Sequence, residues 1–159
     1  MTPLQGAMIA AAVANNGTLM RPYLVRRELA PDLSVLSDTR PTQLRQVLDP
    51  ALDHDLQSMM QGVVTAPEGT GHSANITDIQ GVSVAGKTGT ADTGRTDKRG
   101  TPEPPDAWFI GYATRDGAPK IAVAVIIENG GVQGNETTGG EAAAPVAKAV
   151  METYLKGSG

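Results

Sequence analysis

The chain has 159 residues, a formal net charge of −4, no cysteine and only 3% aromatic residues. This length suits one domain or one large piece of a bigger domain, and the lack of cysteine excludes disulfides and thiolate zinc sites. The acidic balance opposes binding to nucleic-acid phosphates, for which basic side chains supply the affinity, so no nucleic-acid partner is expected.

A first helix is predicted to begin after Thr2, its expected N-cap. Pro3 suits the first helical position, and Gln5 completes a capping box with Thr2. Asn16 and Gly17 are expected to end the helix in a left-handed cap. The apolar stripe predicted at helical spacing comprises Leu4, Met8, Ala11 and Ala12.

A second helix is predicted between Asp49, its expected N-cap, and Val64. Before this helix, residues 18–29 are expected to be extended, with a break at Pro22, and residues 30–42 are expected to form a loop. The methionines of the helix are interpreted as core residues that fill gaps. The predicted apolar face comprises Leu52, Leu56, Met59, Met60 and Val63.

Three strands are predicted in the second half of the chain. The first covers residues 82–87 and continues towards Ala91. Glycine, proline and charged residues without periodicity follow over residues 92–106, which predicts a long surface loop. Residues 107–113 and 121–128 are strongly apolar and are predicted to be the other two strands.

The two later strands are expected to form an antiparallel hairpin, because Asp116-Gly117 is a turn signal in a short connection. The last strand is almost wholly apolar, so we expect cover on both of its faces. Trp108 is expected in the core. A third helix is predicted from its apolar positions Ala143, Val146, Ala147, Val150 and Tyr154. The predicted fold class is therefore α+β, with three antiparallel strands and helices before and after them.

Residues 81–88 match the phosphate-binding P-loop pattern G-x-x-x-x-G-K-[ST]. Such a loop needs a helix that begins at the lysine, because the helix N-terminus supplies amide donors to the phosphate. Here the alternation Val82-Ser83-Val84 favours a strand that continues through Lys87, and no helical stripe follows before the third helix. A P-loop-like nucleotide binder is therefore kept only as an alternative interpretation.

The same lysine begins Lys87-Thr88-Gly89-Thr90, which matches the K-T-G motif of penicillin-interacting serine enzymes. On a strand beside a nucleophile, the lysine supplies positive charge near the reacting centre, and the threonine hydroxyls offer hydrogen bonds to a substrate carboxylate. Gly89 leaves the strand open to an acyl-donor peptide. Lys87 and Thr90 are the candidate catalytic residues, and Thr88, Gly89 and Thr90 are the candidate substrate-binding residues.

Other segments follow the order and approximate spacing found in penicillin-binding protein transpeptidase domains. They are residues 2–5, 10–17, 68–71, 84–91, 107–112 and 128–131, followed by the helix from Ala143. The chain therefore resembles the C-terminal half of such a domain and is closest to the monofunctional class B members. The resemblance covers residues 1–156 as one unit of a serine β-lactamase/D,D-peptidase-like fold, and residues 157–159 are expected to be a tail or an expression remnant.

This resemblance implies a role for each matching residue. Lys87 would tune proton transfer and hold the donor peptide, and Thr88 and Thr90 would bind the carboxylate of D-Ala-D-Ala or of a β-lactam. The backbone N–H of Thr90 would be one of two oxyanion donors. The implied partners are peptidoglycan stem peptides and β-lactam antibiotics, with no cofactor and no metal. The implied location is the extracytoplasmic face of the bacterial membrane, within a membrane-anchored protein.

The nucleophile of that family is the serine of an S-x-x-K motif, and no serine of this sequence has a lysine three residues later. The one formal match to the family's S-x-N motif, Ser73-Ala74-Asn75, is interpreted as coincidence because it stands just before the K-T-G strand. Both motifs are expected on an N-terminal half that precedes Met1, so this chain alone is not expected to be acylated. A non-catalytic sensor or interaction module and a β-lactamase are further alternatives.

Overall fold

The computed structural model describes residues 1–157, which form three α-helices, seven β-strands and several short helical turns. The helices are α1 (Pro3–Ala14), α2 (Pro50–Thr65) and α3 (Ala144–Gly157). The strands are β1 (Thr18–Met20), β2 (Arg27–Leu29), β3 (Val35–Asp38), β4 (Gln43–Gln46), β5 (Val82–Ala91), β6 (Asp106–Arg115) and β7 (Ala118–Ile127). Of the predicted tail, Gly157 ends α3, and residues 158–159 lie outside the described residues.

The central sheet is antiparallel, with strand order β5-β6-β7. Asp116 and Gly117 join β6 to β7 and both have positive φ angles, of 53° and 77°, as a type I′ hairpin turn requires. β5 pairs with β6 over its whole length, from Val82 opposite Arg115 to Ala91 opposite Asp106. The predicted hairpin and the predicted three-stranded antiparallel arrangement are therefore confirmed.

The sheet lies between two groups of helices. On one face, Val13 of α1 and Met60 of α2 pack with Ala85 and Tyr112. On the other face, the buried side of α3 packs in a larger core that contains Phe109, which is fully buried. Both α1 and α3 contact β7, so the prediction that this strand is covered on both faces is confirmed.

The N-terminal ends of α1 and α2 agree with prediction. The Thr2 hydroxyl accepts a hydrogen bond from the N–H of Gln5 at 3.2 Å, and the Gln5 side chain accepts one from the N–H of Thr2 at 2.9 Å. Asp49 caps α2 by accepting from the N–H of Ala51 at 2.9 Å. Both contacts join near neighbours in the sequence, so short motifs suffice to predict them.

The predicted apolar faces of the helices are partly wrong. In α1, Leu4 and Ala11 are exposed; in α2, Leu52 and Met59 face solvent while Met60 is buried, as predicted. The largest error is in α3, where the expected core positions Val146, Val150 and Tyr154 are 43–48% exposed. The positions that are buried instead are Gly6, Ala10, Ala12 and Val13 in α1, Asp53, Met60 and Val64 in α2, and Ala144, Ala147, Met151 and Leu155 in α3.

Close approach of α1 to the sheet explains why its buried face is made of small residues. A Cβ atom on Gly6 would lie 3.0 Å from the Ile110 side chain and 3.1 Å from that of Ala124. Larger side chains do not fit between this helix and the strands, so Leu4 lies on the outer side. Because α1 is apolar on nearly all sides, its periodicity does not indicate which side faces the sheet.

Residues 30–42, predicted to be a loop, contain β3, which pairs with β2 in a small antiparallel sheet. A second two-stranded sheet joins β1 to β4. All residues of β2, β3 and β4 are exposed, so they lack the alternation of buried and exposed positions by which strands are recognised. Residues 92–105 form an irregular, mostly exposed loop with one isolated bridge between Thr96 and Pro102, and the predicted loop is one residue too long because Asp106 begins β6.

Asp53 is a buried carboxylate between α2 and the sheet. Its Oδ2 accepts a hydrogen bond from Nε2 of Gln57 at 2.8 Å, and its Oδ1 has no hydrogen-bond partner in the structure of residues 1–157. Burial, together with the negative charge of Asp53, raises the pKa of Tyr112 to about 12, so this phenol stays protonated at neutral pH.

Within residues 1–157, no helix has the length and apolarity needed to cross a bilayer.

Candidate active site

The Lys-Thr-Gly-Thr segment lies in the second half of β5, the strand at one edge of the central sheet. Lys87 is thus an internal strand residue, and the other residues of the P-loop match, apart from Gly81, also belong to this strand. A fully extended strand has no helix N-terminus at Lys87 to supply amide donors to a phosphate. The alternative interpretation as a P-loop is therefore wrong.

Successive side chains of β5 point to opposite faces of the sheet. Lys87 is exposed, and its Nζ donates a hydrogen bond to the carbonyl oxygen of Thr88 at 2.6 Å. Thr88 is only 9% exposed, and its hydroxyl is hydrogen-bonded to the Thr70 hydroxyl at 2.6 Å. The lysine and the two threonines of the motif therefore lie on different faces of one edge strand.

The pairing of β5 with β6 fixes the direction of the backbone groups in the motif. The carbonyl oxygen of Ala85 points towards β6, because it lies 2.6 Å from the position that a Cβ on Gly111 would take. In an antiparallel pair, residues alternate between bonding the partner strand and facing away from it. Ala85, Lys87 and Gly89 therefore face β6, and the N–H and carbonyl groups of Thr88 and Thr90 face the free edge.

A cavity lies on each side of this strand. One of about 360 Å³ is lined by all four residues of the motif together with Trp108, which is half-buried and borders this space rather than lying wholly in the core. The other, of about 450 Å³, is lined by Thr88 and Thr90. Lys87 therefore lines only the first of these two cavities, whereas Thr88 and Thr90 line both.

Two parts of the site were not predicted to have a role. Thr70 belongs to the Glu-Gly-Thr-Gly segment that carries the family resemblance, and it lines the larger cavity with Ser73. Gly139 and Gly140, in the π-helical turn before α3, pack against the inner face of β5. A glycine pair a few residues before the predicted third helix is the available signal in the sequence, but only the packing shows which strand the pair contacts.

Gly139 allows very close packing against the motif. A Cβ atom at this position would lie 2.6 Å from the carbonyl oxygen of Gly89, 2.8 Å from its nitrogen, and closer still to the carbonyl oxygen of Trp108. Gly140 is packed in the same way against the carbonyl group of Thr70. Because the obstructing atoms belong to the backbone, side-chain rotation cannot relieve such overlaps.

Gly139→Ala in the complete domain is therefore expected to displace β5, lowering both the melting temperature and the rate of acylation by penicillin. Overpacking of this kind costs about 1–3 kcal/mol. Thermal unfolding and stopped-flow acylation check the two effects on the same sample. An unchanged melting temperature with an unchanged rate would contradict the tight contact between the turn and the strand.

Gly62→Ala is the matched control, because the same methyl group is added to a glycine within α2 where no atom beyond the helix's own neighbouring backbone lies within 4 Å of the new Cβ. Alanine favours a helix over glycine by about 1 kcal/mol, so this variant is expected to unfold at a slightly higher temperature.

Comparison with known proteins places nearly the whole chain in one protein family. The family model described as the penicillin binding protein transpeptidase domain matches residues 1–152. The peptidoglycan D,D-transpeptidase PbpA of Mycolicibacterium smegmatis is 43% identical over 158 residues, which cover 98% of this chain and 30% of that protein. PbpA of Mycobacterium tuberculosis is 44% identical over 157 residues, with 99% and 30% covered.

Solved structures give the same result. The ceftriaxone acyl-enzyme complex of penicillin-binding protein A from M. tuberculosis superposes with a TM-score of 0.81 at 41% identity, over 98% of this chain and 32% of that one. The crystal structure of PBPA from M. tuberculosis gives 0.77 at 43% identity, over 98% and 34%. The chain thus spans about a third of the length of these relatives.

Proposed function

Because this chain belongs to the penicillin-binding protein transpeptidase family, as its motifs predict, we propose that it forms one wall of the active site of a D,D-transpeptidase. The observation that carries this proposal is the placement of Lys-Thr-Gly-Thr on the free edge of β5, with the N–H of Thr90 directed outwards. An edge strand of this kind leaves backbone donors and acceptors free for an extended peptide.

Each residue of the motif has a role suited to its position. Lys87 places a positive charge in the cavity on one face, where it assists proton transfer to and from the nucleophile. The hydroxyl groups of Thr88 and Thr90 bind the carboxylate of a D-Ala-D-Ala terminus or of a β-lactam. Gly89 has no side chain to obstruct the donor peptide, and the N–H of Thr90 stabilises the oxyanion of the tetrahedral intermediate.

The nucleophile in this proposal is a serine of an S-x-x-K motif outside the present sequence, which contains no such motif. An N-terminal half of the same domain supplies this serine, the S-x-N motif and the opposite side of the cleft. The serine oxygen attacks the carbonyl carbon of the donor and terminal D-Ala leaves, which gives an acyl-serine ester. The amine of a second stem peptide then attacks this ester, so that an amide bond forms, the bond to the serine oxygen breaks and the serine hydroxyl is regenerated. Such an enzyme acts on the extracytoplasmic face of the membrane, within a membrane-anchored protein.

Fluorescent penicillin tests this proposal directly. The complete domain, which contains the S-x-x-K segment, is expected to become covalently labelled, whereas a chain of residues 1–159 is expected to remain unlabelled. Labelling is read as a fluorescent band after denaturing electrophoresis, and intact mass identifies the labelled polypeptide. Labelling of the isolated chain would contradict the assignment of the nucleophile. A folded complete domain that does not react would favour the non-catalytic sensor instead.

A further inference from the structure

The side chain of Thr88 is held by a residue outside its own strand. Thr88 lies on β5 and is nearly buried, while Thr70 lies in the loop after α2, and their hydroxyl oxygens are 2.6 Å apart. This short distance requires that one hydroxyl donates its proton to the other. The proton direction in this pair therefore determines what Thr88 offers to a bound molecule.

A threonine hydroxyl has one proton to donate and two lone pairs that accept. If Thr88 donated to Thr70, it would present only lone pairs to the cavity, and these repel a carboxylate. If Thr70 donates to Thr88, the Thr88 proton is free to point at the carboxylate. Donation by Thr70 also polarises the Thr88 hydroxyl, which strengthens the second hydrogen bond.

The loop that carries Thr70 is closely packed. The N–H of Gly71 donates to the carbonyl oxygen of Val63 at 2.8 Å, and the N–H of Gly69 donates to that of Ala66 at 2.8 Å. Gly140 packs against the Thr70 carbonyl group from the other side. These contacts hold the Thr70 hydroxyl at a defined point beside the motif, so the loop acts as a rigid support.

We propose that Thr70 is a positioning residue that orients the Thr88 hydroxyl proton towards the carboxylate of the acyl donor. This inference rests on the proposed function and extends it to a residue outside the K-T-G motif. Thr70 acts through the Thr88 hydroxyl, which its own hydroxyl contacts at 2.6 Å. Its contribution is therefore specific to ligands that carry the carboxylate, whereas a purely structural contribution affects every ligand equally.

The test is acylation of the complete domain carrying Thr70→Val, which keeps the shape of the side chain and removes its hydroxyl. The second-order rate constant for a β-lactam with a free carboxylate is expected to fall about five- to tenfold, chiefly through weaker initial binding. The methyl ester of the same β-lactam is expected to react with the variant as fast as with the parent domain. Thr70→Ser is expected to restore the parent rate with the free acid.

Thr65→Val is the matched control, because it makes the same change at a threonine whose hydroxyl only donates a hydrogen bond within α2, to the carbonyl oxygen of Gln61 at 3.0 Å. It is expected to change neither rate. Equal losses with the acid and the ester, or no loss with either, would overturn the role of Thr70. Failure of the parent domain to react at all would instead overturn the proposed function, so the two failures are distinguishable.

Discussion

Lys87→Ala in the complete domain is expected to reduce acylation by penicillin at least a hundredfold while leaving the protein folded. Positioned proton transfer contributes typically 10²–10⁴-fold, and the lysine also contributes its charge at the reacting centre. The side chain is exposed, and its Nζ contacts the carbonyl oxygen of its neighbour Thr88. Loss of such a surface contact changes the free energy of unfolding by about 0.5 kcal/mol or less.

Lys120→Ala is the appropriate control for this experiment. Lys120 is also an exposed lysine of the central sheet, but it lies near the start of β7, two strands away from β5. Stopped-flow fluorescence gives the acylation rates, and circular dichroism gives the melting temperatures of both variants. If Lys87→Ala were acylated as fast as the parent domain, the assignment of the catalytic lysine would fail.

Val123→Asp is expected to have the largest effect on stability. Val123 is 7% exposed, lies opposite Gly111 in the hairpin and belongs to the core that packs against α3. A carboxylate introduced there has no cationic partner in that core cluster and loses most of its hydration. An uncompensated buried charge costs about 3–5 kcal/mol, which is a large part of the stability of an ordinary domain.

Urea denaturation of the complete domain measures this cost as a fall in the midpoint. Ala118→Asp serves as the control, because Ala118 is exposed on the same strand and lies opposite Arg115. The control adds the same charge and is expected to shift the midpoint only slightly. A midpoint for Val123→Asp equal to that of the control would show that the core around β7 admits water.

The sequence predicts the limits of the central strands nearly correctly, but it does not predict which side of each helix is buried. Hairpin formation depends on Asp116 and Gly117, whose positive φ angles are a local property of a two-residue turn. The orientation of α3 depends on which of two apolar sides meets the sheet. Met151 and Leu155 fill that space, and Val150 and Tyr154 do not.

The residues of the candidate site also divide into those that the sequence predicts and those that only the structure reveals. The K-T-G residues were found from the sequence because four consecutive positions of one strand carry their chemistry. Thr70 and Gly139 were not assigned a role, because they are far from Lys87 along the chain and reach it only through the packing of the loop after α2 and the turn before α3.

The sequence by itself determined the family, the antiparallel hairpin, the N-terminal caps of α1 and α2 and the identity of the motif, all of which depend on residues close together in the chain. Only the tertiary structure decided that Thr88 and Thr90 direct their backbone groups to a free edge, and that Thr70 supports the Thr88 side chain. These features depend on strand order and on contacts between distant segments, and such contacts form where burial and close packing are satisfied together.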